Sequence, residues 1–499
     1  MPYPGLRSIA RNTAFLTVAR AVNVGTRTVY VILVARLLGP ELYAMLAYSQ
    51  AWYLAFMPIA IFGLGGVMVR SIGLDRTQAP EIAARALTVR LLSTTVAAIA
   101  CVVLGWVLAR DPQTPVLISV LVFALVARGV TQWAQHLFTA FEVSHHSMRQ
   151  ELVFRVTEVS IAIAVLLAGG DIIFLVATHA AVWWVQAIRA LLIVHRRLVP
   201  LRVAWSPSRW LPMVVQAFPF FMGLLGMGWQ NQAPVVMFRN LSADDVLVGQ
   251  FALAMQALFI SAALPEALAA AALPVLARSA QRADGKDLTY ARGLLRLSFL
   301  LGAGAGLCGM AFGPWLFPVL FGPRFETAGH LVGLTLWCLI PMMARTALPA
   351  VIVARGHFYV AMFGSLAGAA AVTVLMPVLV DALGAPGAVL AAGLAMTVPA
   401  VVTIAFAVAK GWITIYAVLV RPVGAVAAGL AAYLFLQPLS PWLALAVALV
   451  AMGLASIALQ VITKEERGGL RALYAEYRAN RGRRNGGGGD AGDGGLDGG

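Results

Sequence analysis

Long apolar runs separated by short polar gaps fill the chain from residue 13 to residue 462. A helix that crosses a bilayer needs about 20 mainly apolar residues, at 1.5 Å rise each. Reading for runs of that length predicts about fourteen such helices. They lie near 13–38, 42–66, 83–109, 114–138, 151–169, 171–195, 211–238, 247–277, 291–319, 328–354, 357–380, 385–409, 421–437 and 441–462. The fifth is interrupted by Arg155 and Glu158, and the thirteenth opens on Arg421. Two connections are longer than the rest. Residues 196–210 contain Pro and Ser that discourage a continuous helix, and residues 278–290 are strongly polar. The pattern divides the chain into a six-helix unit (1–195), a linker (196–210), a second six-helix unit (211–410), two further helices (411–462) and a tail (463–499). The tail begins as a charged interfacial helix and ends in a Gly-rich, low-complexity stretch expected to be disordered.

Composition removes the soluble classes. The chain is 61% hydrophobic and 11% charged, against about 25% charged in soluble proteins. Its net charge of +15 does not indicate nucleic acid, because the basic residues sit singly at the ends of apolar segments. That placement orients membrane helices. If the N-terminus is cytoplasmic, the even-numbered loops and the tail hold nearly all of the loop arginines. The odd-numbered loops hold only Arg110, Arg239 and Arg324. The expected topology is therefore multi-pass with both termini in the cytoplasm. The first apolar stretch is broken by Arg20, Asn23 and Arg27 and has no cleavage pattern, so it does not read as a cleaved signal peptide. Cys101, Cys308 and Cys338 each fall inside an apolar helix and read as small buried hydrophobes.

Polar residues at depth are the functional pointers, because a central Arg costs roughly 2.5–3.5 kcal/mol on insertion scales. In the first helix Thr13, Arg20 and Arg27 are seven apart, with Asn23 and Tyr30 along the same stripe. A cationic stripe suits an anionic ligand, above all a phosphate held by the Arg fork. Arg20 either shares that role or reaches the headgroups. Arg128, Gln132, Gln135 and Thr139 make a second stripe, either a cavity face or an interhelical seam. Gln230, Asn231, Gln232 and Pro234 suggest a broken helix lining a cavity, or a cluster at the interface. Glu266 is a lone carboxylate at depth, either a coupling site or an ion-pair partner. Arg345, between Pro341 and Pro349, suggests a kinked, cavity-facing segment, or a bridge to Glu266 or to carbonyl groups. His136, His179 and His330 stand isolated in the sequence. No nucleophile, metal or nucleotide motif occurs in a suitable context, so neither catalysis, cofactor nor metal is expected.

VILVARLLGPELYAMLAYSQAW (31–52), HLFTAFEVSHHSMRQELV (136–153), FRNLSADDVLVGQFALAMQAL (238–258), LPVLARSAQRADGKDL (273–288), LFGPRFETAG (320–329) and ALGAPGAVLAAGLA (382–395) together resemble the Wzx-type polysaccharide-biosynthesis flippases. That family belongs to the superfamily shared with the lipid II flippase and the multidrug MATE exporters. The resemblance implies an all-α polytopic membrane protein with two six-helix lobes around a central cavity and two appended C-terminal helices. It implies alternating-access transfer of a lipid-linked oligosaccharide, an undecaprenyl-diphosphate repeat unit of lipopolysaccharide or exopolysaccharide, between leaflets of the bilayer. Polymerases and glycosyltransferases of the pathway would be its partners. The sequence departs from the family at Asn231-Gln232-Ala233, where many relatives carry an acid, and at Gly249-Gln250-Phe251, where many carry Gly-x-Tyr.

The expected diphosphate contacts are Arg20, Asn23, Arg27, Arg128 and Arg345. The alternatives are a MATE-type cation-coupled exporter, which would be expected to carry a buried carboxylate in its first lobe, and a lipid II flippase. Arg27→Ala is expected to abolish surface glycan while insertion stays normal. Arg27→Lys should be partly tolerated if charge alone matters and poorly tolerated if the bidentate fork matters. Wild-type surface glycan in an Arg27→Ala strain would contradict the reading.

Overall fold

The computed structural model describes residues 6–143, 145–263 and 286–461, with the backbone alone for residues 6–23. Every regular element among them is helical. α1 (Leu6–Ile61) folds back at Gly39 and is followed by α2 (Leu64–Leu74), α3 (Ala79–Val107), α4 (Gln113–Ala140), α5 (His145–Leu167) and α6 (Ile172–Arg197). Then come α7 (Pro207–Leu241), α8 (Asp245–Ser261), α9 (Lys286–Phe321), α10 (Glu326–Thr335) and α11 (Leu339–Ala354). The last four are α12 (Phe358–Leu383), α13 (Ala385–Ala409), α14 (Arg421–Leu436) and α15 (Pro441–Ala458).

Eleven of the described helices are long and apolar enough to cross a membrane. That count takes Val24–Leu74 as one stretch, although Gly39 (φ 75°, ψ 170°) and Pro40 reverse the chain within it. Only glycine adopts that backbone conformation readily, and Pro40 cannot continue the ladder of hydrogen bonds. α5 is shorter in apolar length because of Arg155 and Glu158, and α8 ends at the edge of the described residues. With the two α1 limbs taken separately and α5 and α8 added, the described helices follow the expected spans in order, the end of the eighth lying outside the described residues. α10 and α11 form one span through a tight turn at Leu336–Cys338.

The second limb of α1 ends in a break at Phe62 (φ 50°) and Gly63 (φ 62°), beyond which α2 packs on the start of α3. The break strands the carbonyl of Ala60, which accepts from Arg90 Nη1 at 2.8 Å and Ser93 Oγ at 3.0 Å. Arg90 is completely buried and so acts as a charged cap on that helix end. A side chain at Gly63 would also strike the backbone of α7 at Phe221 N.

α1 packs against α3, α4 and α5, and α6 joins through α4 and α5. α7 packs with α12 and α13, and α9 with α10 and α11, while α8 meets α10. The two bundles meet where α1 and α2 cross α7 and α8. α14 and α15 pair with each other and lie on α9, where Tyr433, Ala448 and Met452 are buried against Ala303 and Leu307. Outward faces are apolar. On α3, Leu92, Val96, Ile99, Val103 and Val107 are exposed at helical spacing, the signature of a lipid-facing stripe. The chain is thus a multi-pass membrane protein.

Of the two readings of the α7 amides, the broken helix is excluded. α7 runs unbroken from Pro207 to Leu241 through Pro212, Pro219 and Pro234. Gln230 is buried and hydrogen-bonded to neighbouring helices, which holds the helix together where three amides suggested a break. The tail and the second polar loop lie outside the described residues.

Gly63→Ala should lower the melting temperature of the detergent-solubilised protein. The left-handed backbone costs about 1–2 kcal/mol and the contact with α7 about 1–3 kcal/mol. Gly73→Ala, with open space around it, should leave the melting temperature unchanged or slightly higher.

Candidate anion-binding cavity

The first bundle holds a buried polar chain drawn from four helices. Arg128 Nη1 (α4) donates to Tyr53 Oη (α1) at 3.1 Å. Tyr53 Oη lies 3.2 Å from His179 Nε2 (α6), and His179 Nδ1 lies 2.6 Å from Glu158 Oε1 (α5). Arg155 Nη1 donates to Glu158 Oε2 at 3.0 Å, and its Nε is 3.4 Å from Glu151. Arginine only donates and an ionised carboxylate only accepts, so the directions along the chain are fixed. Neutral His179 must carry its proton on Nδ1, toward Glu158, and accept from the Tyr53 hydroxyl at Nε2. Arg128 also stacks on Trp183, 4.7 Å from the ring centre. Glu158 is 4% exposed, so its charge is sustained by these partners rather than by solvent.

Arg27 projects from the first limb of α1 toward the second bundle. With its amide oxygen turned to α1, Gln256 of α8 accepts from Arg27 Nε and Nη2 at 3.1 and 3.0 Å. Tyr30, one turn on, lies within electrostatic reach of Glu158, Tyr53 and Arg155. In the second bundle Arg345 Nη1 donates to Gln230 Oε1 at 3.2 Å, and Gln230 Nε2 donates to the carbonyl of Ala395 at 2.5 Å. Among the described residues the partner of Arg345 is thus an amide, and the expected bridge to Glu266 lies outside them. Asn231 and Gln232 are half-buried. The side chains of Arg20 and Asn23, and all of Glu266, lie outside the described residues.

Between the bundles lies a largely apolar cavity of about 460 Å³, lined by Gly63 and Gly66, Phe220, Phe358 and Met362, with Gln132 and His136 as polar members. It sits in the half of the membrane nearest the even-numbered loops. Gln132 and His136 occupy the α4 face on which Arg128 stands one turn further along, so this face leads from the cavity to the buried chain.

At the opposite face, around the odd-numbered loops, the bundles are tied together. Arg239, with its side chain 6% exposed, bonds Asp111 at 2.9 Å and Thr114 Oγ1 at 2.8 Å, pairs with Asp245 at 3.4 Å and covers the Tyr48 ring at 4.7 Å. Arg110 donates to the carbonyls of Arg239, Asn240 and Ser242. Arg324 pairs with Glu41 and Arg36 donates to the Leu320 carbonyl, while within the second bundle Gln250 accepts from Ala328 N at 2.9 Å. The three arginines that break the charge rule of the odd loops are therefore the three that close this seam.

A sequence model described as "Polysaccharide biosynthesis protein" matches residues 9–280, more than half of the chain. The chain belongs to this family. No curated protein matches it. Among solved structures it is similar to the lipid II flippase MurJ in an inward closed conformation, at 12% identity, TM-score 0.65, over 90% of this chain and 98% of that one. It is also similar to an inward-facing MATE multidrug transporter of the MOP superfamily, at 14% identity, TM-score 0.63, over 79% and 97%. A point mutant of the MATE transporter VcmN of Vibrio cholerae matches at 14% identity, TM-score 0.57, over 81% and 98%. These likenesses establish the fold, and they run past the residues that the family model covers.

The seam contacts differ in weight. Glu41 and Arg324 are half-exposed, and such pairs contribute about 0–1 kcal/mol. Breaking a fully buried pair costs about 3–5 kcal/mol, so Arg239 dominates, discounted for its partly exposed acids. Partial burial alone would raise the Asp111 carboxyl, but hydrogen bonds from Thr114 and the adjacent Arg239 hold it below the usual range. A depressed carboxylate contributes stability that is present above its unfolded value and lost as pH falls through the folded one. The seam should therefore be indifferent to pH above about 4 and loosen below. Arg239→Ala should lower the melting temperature and raise the labelling rate of a cysteine introduced by Ser242→Cys. Unchanged labelling would show that Arg239 does not hold the seam.

Proposed function

We propose that the protein carries a polyprenyl-diphosphate-linked oligosaccharide between bilayer leaflets by alternating access, as a carrier and not as an enzyme. The observation that carries this reading is the guanidinium set Arg27, Arg128 and Arg155 inside the membrane-spanning length of the first bundle. It is joined by Arg345 in the second bundle, and by Arg20 and Asn23 on the α1 stripe. Such groups persist at depth where they meet an anion or a cavity, and a diphosphate offers oxygens for several guanidinium forks at once. The apolar cavity beside them suits the first units of a lipid chain. The charge asymmetry of the loops supports cytoplasmic termini in an inner membrane. On that orientation the tied seam faces outward and the cavity opens toward the cytoplasm, where such a substrate would be loaded.

A MATE-type exporter gains support from the buried Glu158, a carboxylate in the first bundle. However, Glu158 is engaged by Arg155 and His179, and guanidinium groups outnumber carboxylates around it, which disfavours a cationic substrate. Lipid II also carries a polyprenyl diphosphate, and the same arginines would serve it.

The test is transfer in proteoliposomes. A fluorescent polyprenyl-diphosphate oligosaccharide should become accessible to an external glycosidase, and Arg128→Ala or Arg155→Ala should slow transfer by at least tenfold. Export of a cationic dye without movement of the lipid would contradict the proposal.

A further inference from the structure

Three observations around Glu158 have no part in anion binding as such. The carboxylate meets a histidine at 2.6 Å, the closest contact in the chain Arg128–Tyr53–His179–Glu158–Arg155. Next, α5 and α6 run antiparallel with matched faces. Glu158 stands opposite His179, Phe154 contacts Trp183 with ring centres 4.3 Å apart, and Gln150 and Gln186 lie one turn further toward the even-loop face. Last, Gln150 and Gln186 are 2% and 4% exposed, yet both ends of both amides lack a protein partner, as does Trp183 Nε1. Orphaning a buried polar group costs about 1–3 kcal/mol, and hydration of such groups offsets the cost. These unpartnered amides lead from the even-loop face to the histidine–carboxylate pair, the placement that a proton route needs.

We propose that Glu158 and His179 form a proton-binding site, reached from the even-loop face past Gln150 and Gln186, whose occupancy is linked to anion binding at the neighbouring arginines. Protonation occurs at His179 Nε2, the one ring position not already carrying hydrogen. The new N–H then donates to Tyr53 Oη, and the tyrosine hydroxyl hydrogen turns away. Nδ1–H stays on Glu158, so no other proton moves and one positive charge is gained.

The groups facing the pair are Tyr30 and Tyr53 from α1, Arg128 from α4, and Glu151 and Arg155 from α5, with Trp183 beside His179 on α6. With Arg27, the charged members are three guanidiniums against the carboxylates of Glu151 and Glu158. With His179 neutral the set carries one net positive charge, and with His179 protonated it carries two. A diphosphate diester carries two negative charges, so its binding favours the protonated form. By reciprocity, protonation favours binding of the anion.

The proposal rests on the diphosphate reading above, and the experiment separates the two. The full-length protein in nanodiscs is titrated with a farnesyl diphosphate diester of N-acetylglucosamine at a series of pH values between about pH 5 and pH 8. That probe keeps its charge throughout, so any proton exchanged belongs to the protein. Affinity should rise as pH falls, by up to tenfold per unit for one linked proton, and an indicator dye should report proton uptake on binding. Both effects should vanish in Glu158→Gln and His179→Gln. Gln150→Leu with Gln186→Leu should slow the uptake while leaving its equilibrium extent. Wild-type binding with no pH dependence and no uptake overturns the proton site and leaves the diphosphate reading standing. A pH dependence retained in both single variants overturns it as well. Absence of binding at every pH overturns the diphosphate reading and the proton site with it.

Discussion

A guanidinium inside a bilayer must have a partner, and the polar architecture of this protein follows from that constraint. The apolar helices supply the spans and their lipid-facing stripes, but they leave no tolerance for an unpaired charge. Each intramembrane arginine described in detail therefore meets a carbonyl, an amide, a hydroxyl or a carboxylate. Arg90 caps the broken end of α1, Arg345 is held by Gln230, and Arg128 and Arg155 flank the Tyr53–His179–Glu158 chain. The same requirement shapes the odd-loop face, where Arg110, Arg239 and Arg324 tie the bundles together.

These pairings have unequal consequences. Arg90 is completely buried and its Nη1 is spent on the stranded Ala60 carbonyl, a structural duty. Arg128 and Arg155 are only partly buried, and one helical turn along α4 separates Arg128 from the cavity-lining Gln132. Their partners are exchangeable: a substrate phosphate can replace a tyrosine hydroxyl or a carboxylate without leaving a cation bare. In this reading the internal carboxylate is a resident counter-ion for cations that later receive the substrate.

Much of this was legible in the sequence. Span length foretold the order of the apolar helices, and the gap between the spans predicted at 13–38 and 42–66 foretold the reversal of α1. Arg27 was singled out in the sequence as well. What could not be read was pairing across distance. His179 looked isolated because its partners Glu158 and Tyr53 are 21 and 126 residues away. Arg155 and Glu158 registered only as a weak point in the fifth span, although an Arg and an acid three residues apart in an apolar run were the signal that a buried ion pair lies there. The amide cluster of α7 misled in the opposite sense. Three adjacent amides suggested a break, whereas Gln230 turns inward to brace two helices and the backbone stays regular.

The central claim is that the intramembrane arginines of the first bundle receive an anionic lipid headgroup. An experimental structure of the protein with a bound polyprenyl-diphosphate sugar tests it most directly. The account predicts phosphate density within hydrogen-bond reach of Arg27, Arg128 or Arg155, with the Glu158–Arg155 contact lengthened. Phosphate density confined to the loop arginines, with the buried chain unchanged, would contradict it.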